Sequence, residues 1–204
     1  MSRKIGTLSA QDCAMMARRS MCWLLCLMAC GVDAWSWNKF DTCATLSNFL
    51  EGRTGSFRTM GAVAGIMGNI DVETGGTFDP HQQQAGGTGH GLFQLDGKLL
   101  DVYWNWLKAE GRKDEVESQI VFLFWLLFDK PDYIGRGFVQ RLLSSFQQTD
   151  DPAQLAEAFC QNFERPGKPH LDRRTASARS IAQDLKASGQ CPPPPQTGDV
   201  AIIV

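Results

Sequence analysis

The stretch GAVAGIMGNIDVETGG at residues 61–76 constrains the fold more than any other part of the chain. Met60, Val63, Met67 and Ile70 recur at helical spacing, which predicts a helix over residues 57–74. Gly61, Gly65 and Gly68 sit inside it, each disfavoured by about 1 kcal/mol against alanine in a helix interior. Gly61 and Gly65 are four residues apart, as are Ala64 and Gly68, so they make a stripe of small residues on one side. Such a stripe suits the close approach of another helix. Thr74-Gly75-Gly76 must end the helix, which leaves Glu73 at the edge of the core and facing a loop.

The same periodicity continues downstream. Residues 114–129 open with Asp114 and Glu117 in a capping-box-like spacing and carry Val116, Ile120, Leu123, Phe124, Leu127 and Phe128. A helix over 98–109 is expected to follow Asp96. Asp151-Pro152 supplies an N-cap and a first-turn proline, with Leu155, Phe159 and Phe163 on one stripe behind them. A last helix over 172–188 carries Ala178, Ile181 and Leu185 and stops at Gly189. No stretch alternates with period two for long, so the expected fold class is all-α, with a domain over residues 38–189. An N-terminal segment, 1–37, precedes it. A tail, 190–204, follows it, stiffened by four prolines at 192–195 and ending in the apolar Val200 to Val204.

At 204 residues the chain can bury a real core, and a formal net charge of −2 gives it no global field to draw nucleic acid. Arg18-Arg19, Arg136 to Arg141 and Arg173-Arg174 are scattered and read as solvated helix faces. Five of the seven cysteines fall within the first 43 residues, which is not the spread of a disulfide-stapled core. No CxxC pair occurs. His81 and His90 lack a third ligand at HxH or HxxxD spacing, so neither a metal nor a cofactor is expected. The apolar run over residues 21–32 follows a basic flank, as in a secretory signal. It is short for a membrane span, and it reads equally as a buried or docking segment.

Glu73 has two readings on position alone: an exposed helix-terminal carboxylate, or a general acid whose pKa is raised by burial against apolar neighbours. The surrounding motifs decide between them. Gly68-Asn69-Ile70, then Glu73-Thr74-Gly75, Phe78-Asp79-Pro80 and Gly91-Leu-Phe-Gln94-Leu95 resemble the phage tail lysozyme family. More broadly they resemble the goose-type lysozymes and lytic transglycosylases. Gln119-Ile-x-Phe-Leu is similar to that family's Q-x-x-F-L helix, and Phe159 to Gly167 to its F-x-x-x-F-E-R-P-G segment. The chain departs from the pattern at Thr74, where serine is usual, and by one extra residue before Pro80. Leu95 stands where tryptophan would offer an aromatic platform.

The resemblance implies an all-helical glycosidase that cuts peptidoglycan strands between N-acetylmuramic acid and N-acetylglucosamine. Glu73 would be the proton donor. Gln94 and the backbone of Gly91, Leu92 and Phe93 would line the cleft and bond sugar. Glycosidases ordinarily use a second carboxylate. Asp71 faces elsewhere on the helix and Asp79 reads as a turn residue, so Asp96 is the best candidate for a base, unless it caps the next helix. Tyr103 is placed at the cleft edge, while Trp104, Trp106 and Trp125 are mostly core. Glu164 and Arg165 are expected to pair.

Several settings suit the chain. One is a phage-tail subunit retained whole, docked on other virion proteins through both termini and acting in the host periplasm during genome delivery. Another is a lysis enzyme held at the host inner membrane through residues 21–32. A cysteine amidase or endopeptidase using Cys43, at a helix start, with His90 is a third reading. In that reading's absence Cys43 is a core residue or a disulfide partner. A non-catalytic virion module is the fourth.

Overall fold

In a computed structural model, which describes residues 36–51, 60–188 and 191, the glycine-bearing helix is the hub. The first helix, α1, spans Trp37–Glu51, and the hub, α2, spans Met60–Glu73. Every residue of α2 from Gly61 to Ile70 is buried, as befits a helix with no solvent face. Its main neighbours are α6, Pro152–Phe159, and α7, Leu171–Ser188. A Cβ on Gly65 would lie 2.8 Å from Leu155 Cβ, and one on Gly68 would lie 2.8 Å from the backbone and Cβ of Ala178. The small-residue stripe is therefore the contact that admits both helices. The expected tight packing is what the structure has.

The remaining helices are α3, Gly97–Glu110, α4, Val116–Phe124, and α5, Arg136–Gln148. These seven α-helices, with no strand among the described residues, make the all-α fold. α1 packs on α4, where Phe49 and Phe124 stack with ring centroids 5.1 Å apart. Two π-helical turns extend helices: Trp125–Asp129 follows α4, and Cys160–Glu164 follows α6. The second is closed by Arg165 in the left-handed region, φ 47°, and it carries Glu164 out of the α-helical register.

Some end signals act as read and others do not. Asp151 caps α6 through its carboxylate, which accepts from Ala153 N–H at 2.8 Å. The capping-box reading of Asp114 fails: Glu115 occupies the cap position of α4, and the Asp114 side chain is engaged elsewhere. Asp96 sits at the cap position of α3, yet its side chain makes no capping bond.

Cys43 and Cys191 form a disulfide across 148 positions of sequence. One cysteine far from the N-terminal cluster thus staples the domain, which the uneven spread had argued against. α1 begins six positions earlier, at Trp37, so Cys43 lies inside the helix and not at its start. The apolar run over 21–32 and the tail beyond Cys191 lie outside the described residues, and so do residues 57–59 of the predicted hub helix. Among the described residues no helix is long and apolar enough to cross a membrane.

Candidate active site

Glu73 is the last residue of α2, and Asn69 lies one turn before it on the same face. α7 brings Arg174 against both. Arg174 is 1% exposed, and each of its three side-chain nitrogens donates. Nη2 donates to Glu73 Oε1, Nη1 to Glu164 Oε2, and also Nη1 to Asn69 Oδ1 at 2.9 Å; Nε donates to the Pro169 carbonyl at 2.7 Å. The Asn69 amide in turn donates to the carbonyls of Gly65 and Ala156, each at 2.9 Å. One guanidinium therefore ties the end of α2, the π-helical turn after α6 and the start of α7 into a single cluster. Only the rigid fork of an arginine can serve acceptors in so many directions.

The electrostatics are those of two carboxyl groups sharing one cation. Burial pushes the Glu164 carboxyl well above its usual range. Arg174 opposes that shift, and the neighbouring Glu73 adds to it. The Arg174 guanidinium is held charged by the two carboxylates in spite of its burial. Glu73 keeps a side-chain exposure of 18%, against 3% for Glu164, so Glu73 is the member that solvent or a ligand can reach.

Two expectations change here. Glu73 was expected among apolar neighbours, but its immediate partner is a buried arginine. Glu164 was expected to pair with Arg165, but it pairs with Arg174, while Arg165 lays its guanidinium over Phe138, 4.5 Å from the ring centroid. The left-handed backbone at Arg165 turns that side chain away from its neighbour. Arg174 itself had been counted with the solvated faces.

The loop between α2 and α3 follows Glu73 in sequence and is built almost without regular structure. Thr74 anchors it. Its hydroxyl donates to the Ile70 carbonyl at 2.7 Å and accepts from Phe78 N–H at 3.0 Å, roles that serine or threonine can fill. Asp79 is the expected turn residue, accepting from His81 N–H at 2.9 Å. Isolated antiparallel bridges pair Gln83 with His90 and His90 with Leu95. Gln119, reaching over from α4, holds the loop: Oε1 accepts from Leu92 N–H at 2.7 Å, and Nε2 donates to the Pro80 carbonyl at 2.6 Å and to Asp114 at 2.8 Å. Gly91, φ +77°, passes so close that a Cβ there would lie 2.4 Å from the Gln119 amide.

These contacts revise the expected sugar-binding set. The N–H groups of Gly91 and Leu92 are taken by Gln82 and Gln119, so they are not offered to a ligand. The side chains of Leu92, Phe93 and Leu95 are buried, and Phe93 packs on Phe159 and Phe163. A side chain at position 95 points into the core and makes no platform. Gln94 is partly exposed at φ 45°, with its amide donating to the Gln82 and Gly91 carbonyls. Tyr103 is fully buried. Its hydroxyl donates to Asp114 at 2.7 Å, and burial, then the carboxylate beside it, push its pKa far up, so it stands at no cleft edge. Its neighbour Trp104 is exposed instead, at 42%, with its ring 4.9 Å from the His90 ring. Asp96 is exposed.

Neither described thiol centre can serve a cysteine mechanism. Cys43 is buried and disulfide-bonded, and His90 is committed to Asp114 at 2.7 Å. The free Cys160 is buried, and burial pushes its thiol up to about 11. The one grouping with metal-type donors among the described residues is His81, His90 and Asp114, whose ligand atoms lie within 4.8 Å of one another. The third donor that local spacing lacked comes from the α3–α4 connection. Asp114 is held as a carboxylate: burial raises its pKa, but bonds from Tyr103, Gln119 and His90 outweigh that.

Comparison with known proteins agrees with the motifs. Morphogenesis protein 1 of Bacillus phage B103 is 25% identical over 136 residues, which is 64% of this chain and 36% of that protein. The chain thus spans about a third of the length of that relative. The model of a family described as phage tail lysozyme matches residues 46–185, from the middle of α1 to the last turns of α7. That match takes in Asn69, Glu73, Gln119, Glu164 and Arg174 together, and by it the chain belongs to the phage tail lysozyme family.

Proposed function

We propose that this chain is a muramidase or lytic transglycosylase acting on peptidoglycan glycan strands, with Glu73 as the proton donor to the glycosidic oxygen. The observation that carries the reading is the cluster at the end of α2: a reachable carboxyl fixed by a buried arginine that also holds a second, inaccessible carboxyl. Burial raises the Glu164 carboxyl, and Glu73 beside it adds to that shift. Of the two carboxyl groups that share Arg174, Glu73 is the one a glycosidic oxygen can reach. Asn69 and Arg174 position Glu73 without touching the sugar. Gln94 and the exposed Trp104 flank the loop side, where an amide and an indole face suit a sugar's hydroxyls and ring. Asp96, exposed and free of a capping bond, is the base we assign for a hydrolytic route.

Glu73→Gln tests the reading. It should fold with wild-type stability within about 1 kcal/mol and lose about 10²–10⁴-fold in turbidity reduction of purified peptidoglycan. Wild-type activity in that variant overturns it. Asp96→Asn separates the routes by its products, read by mass spectrometry. Loss of reducing-end products assigns hydrolysis to Asp96, and unchanged anhydro-muramic products remove Asp96 from the chemistry.

The setting we favour is a virion, with the chain docked on tail proteins through its termini and working in the host periplasm. The family and the name of the B103 relative support it. N-terminal sequencing of protein from purified virions checks this. A chain absent from virions but present in the host envelope would favour the lysis-enzyme setting, with membrane contact through residues 21–32.

A further inference from the structure

We propose that His81, His90 and Asp114 form a zinc-binding site that clamps the loop between α2 and α3 onto the α3–α4 connection. The three donors come from separate stretches and converge on one point: His90 Nε2 lies 2.7 Å and His81 Nδ1 3.2 Å from the same oxygen, Asp114 Oδ2. Zinc–ligand distances of about 2.0–2.1 Å put tetrahedral ligand atoms about 3.3 Å apart, so small side-chain rotations bring all three within reach of one ion. Two imidazoles and a carboxylate are a donor set suited to Zn²⁺.

The surroundings are those of a held site. Asp114 Oδ1 is fixed by Tyr103 at 2.7 Å and Gln119 at 2.8 Å, which leaves Oδ2 alone to face the histidines. His90 is buried, and its second ring nitrogen is bonded by the Gln83 amide. Partners of this kind fix a ligating imidazole and raise its affinity. As the contacts stand, His90 donates from Nε2 to Asp114 and accepts at Nδ1. Zinc takes the Nε2 lone pair, the proton moves to Nδ1, and a turned Gln83 amide accepts it there, with no net proton lost. His81 has a side-chain exposure of 62%, so the outer face of the site is open for water as the fourth ligand. Through its backbone bonds with Leu95, His90 braces the turn that holds Gly91 and Gln94. Metal at this point stiffens that turn whether or not the enzymatic reading holds.

The full chain, stripped of metal with a chelator, is titrated with Zn²⁺ alone by calorimetry, and its melting is followed with and without the ion. Wild type should bind one equivalent that raises the melting temperature. His81→Ala removes an exposed ligand and should keep the metal-free melting temperature while weakening that binding more than about 10-fold. His90→Gln should abolish it. Co²⁺ in place of Zn²⁺ separates this site from the chain's cysteines, because thiolate ligation adds strong near-ultraviolet absorption and imidazole or carboxylate ligation does not. No saturable binding, equal binding in His81→Ala, or a thiolate spectrum overturns the proposal and leaves the cluster a hydrogen-bond network only.

Discussion

The Arg174 cluster and the loop around Gln119 solve the same problem in different ways. Each uses one long polar side chain to reach several backbone segments from a buried position. Arg174 does so with charge, and its acceptors include two carboxyl groups, one at the end of α2 and one on the π-helical turn after α6. Gln119 does so with a neutral amide, and two of its partners are main-chain groups of an irregular loop. The charged cluster should therefore fail by electrostatics and take the chemistry with it. The neutral one should fail by local loosening and spare much of the helical core.

The largest effect tests the charged half. Arg174→Met leaves Glu73 and Glu164 without their cation. Breaking a buried pair costs about 3–5 kcal/mol, so urea unfolding should show a loss of that size together with lost activity. A loss under about 1 kcal/mol would mean that the pair is not buried in solution. Gln119→Ala comes next. It orphans Leu92 N–H and the Pro80 carbonyl, at about 1–3 kcal/mol, and hydrogen exchange should quicken in the loop but not in α2. Equal quickening in both would break the contrast between the two regions.

A smaller effect comes from the cap of α6, which supports the charged side only indirectly. Asp151→Ala should cost about 1 kcal/mol in the same unfolding assay, with catalytic turnover retained. The subtlest test uses pH. Glu164 is raised above its unfolded value, so its contribution to stability is complete below the ordinary glutamate range and is lost as pH rises through the folded value. Glu164→Gln cannot titrate. Its stability relative to wild type should therefore improve as pH rises from acid, and a flat difference would show that burial does not perturb the group.

The two regions also differ in how far the sequence discloses them. Glycine spacing and apolar period place α2 and its tight contacts, because both are local patterns. Glu73 follows from the motif around it. Arg174 is missed when read as half of an Arg-Arg pair, yet it lies at helical spacing with Ala178, Ile181 and Leu185, all on the buried face of α7. The same signal was present for Tyr103, which shares a face with Trp106 and Leu107 and is buried with them. A polar residue in an apolar stripe is a residue with a buried partner, and that partner is named only by the tertiary fold. Asp114 is the harder case. Its capping spacing with Glu117 offered a sufficient local use, and nothing near it in sequence points to His81 or His90.

The sulfur bridge between Cys43 and Cys191 also has a mechanical consequence. It closes nearly the whole domain into a covalent ring, with α2 through α7 inside and both chain ends outside. Tension applied at the two ends passes from Cys43 to Cys191 directly. The helices that hold Glu73, Glu164 and Arg174 lie off that line and bear none of it. Under load, only the first six residues of α1 and the segments beyond the bridge can pay out length while it is intact. Once it is reduced, the load path runs through the site itself, and the domain can be drawn open along its full contour.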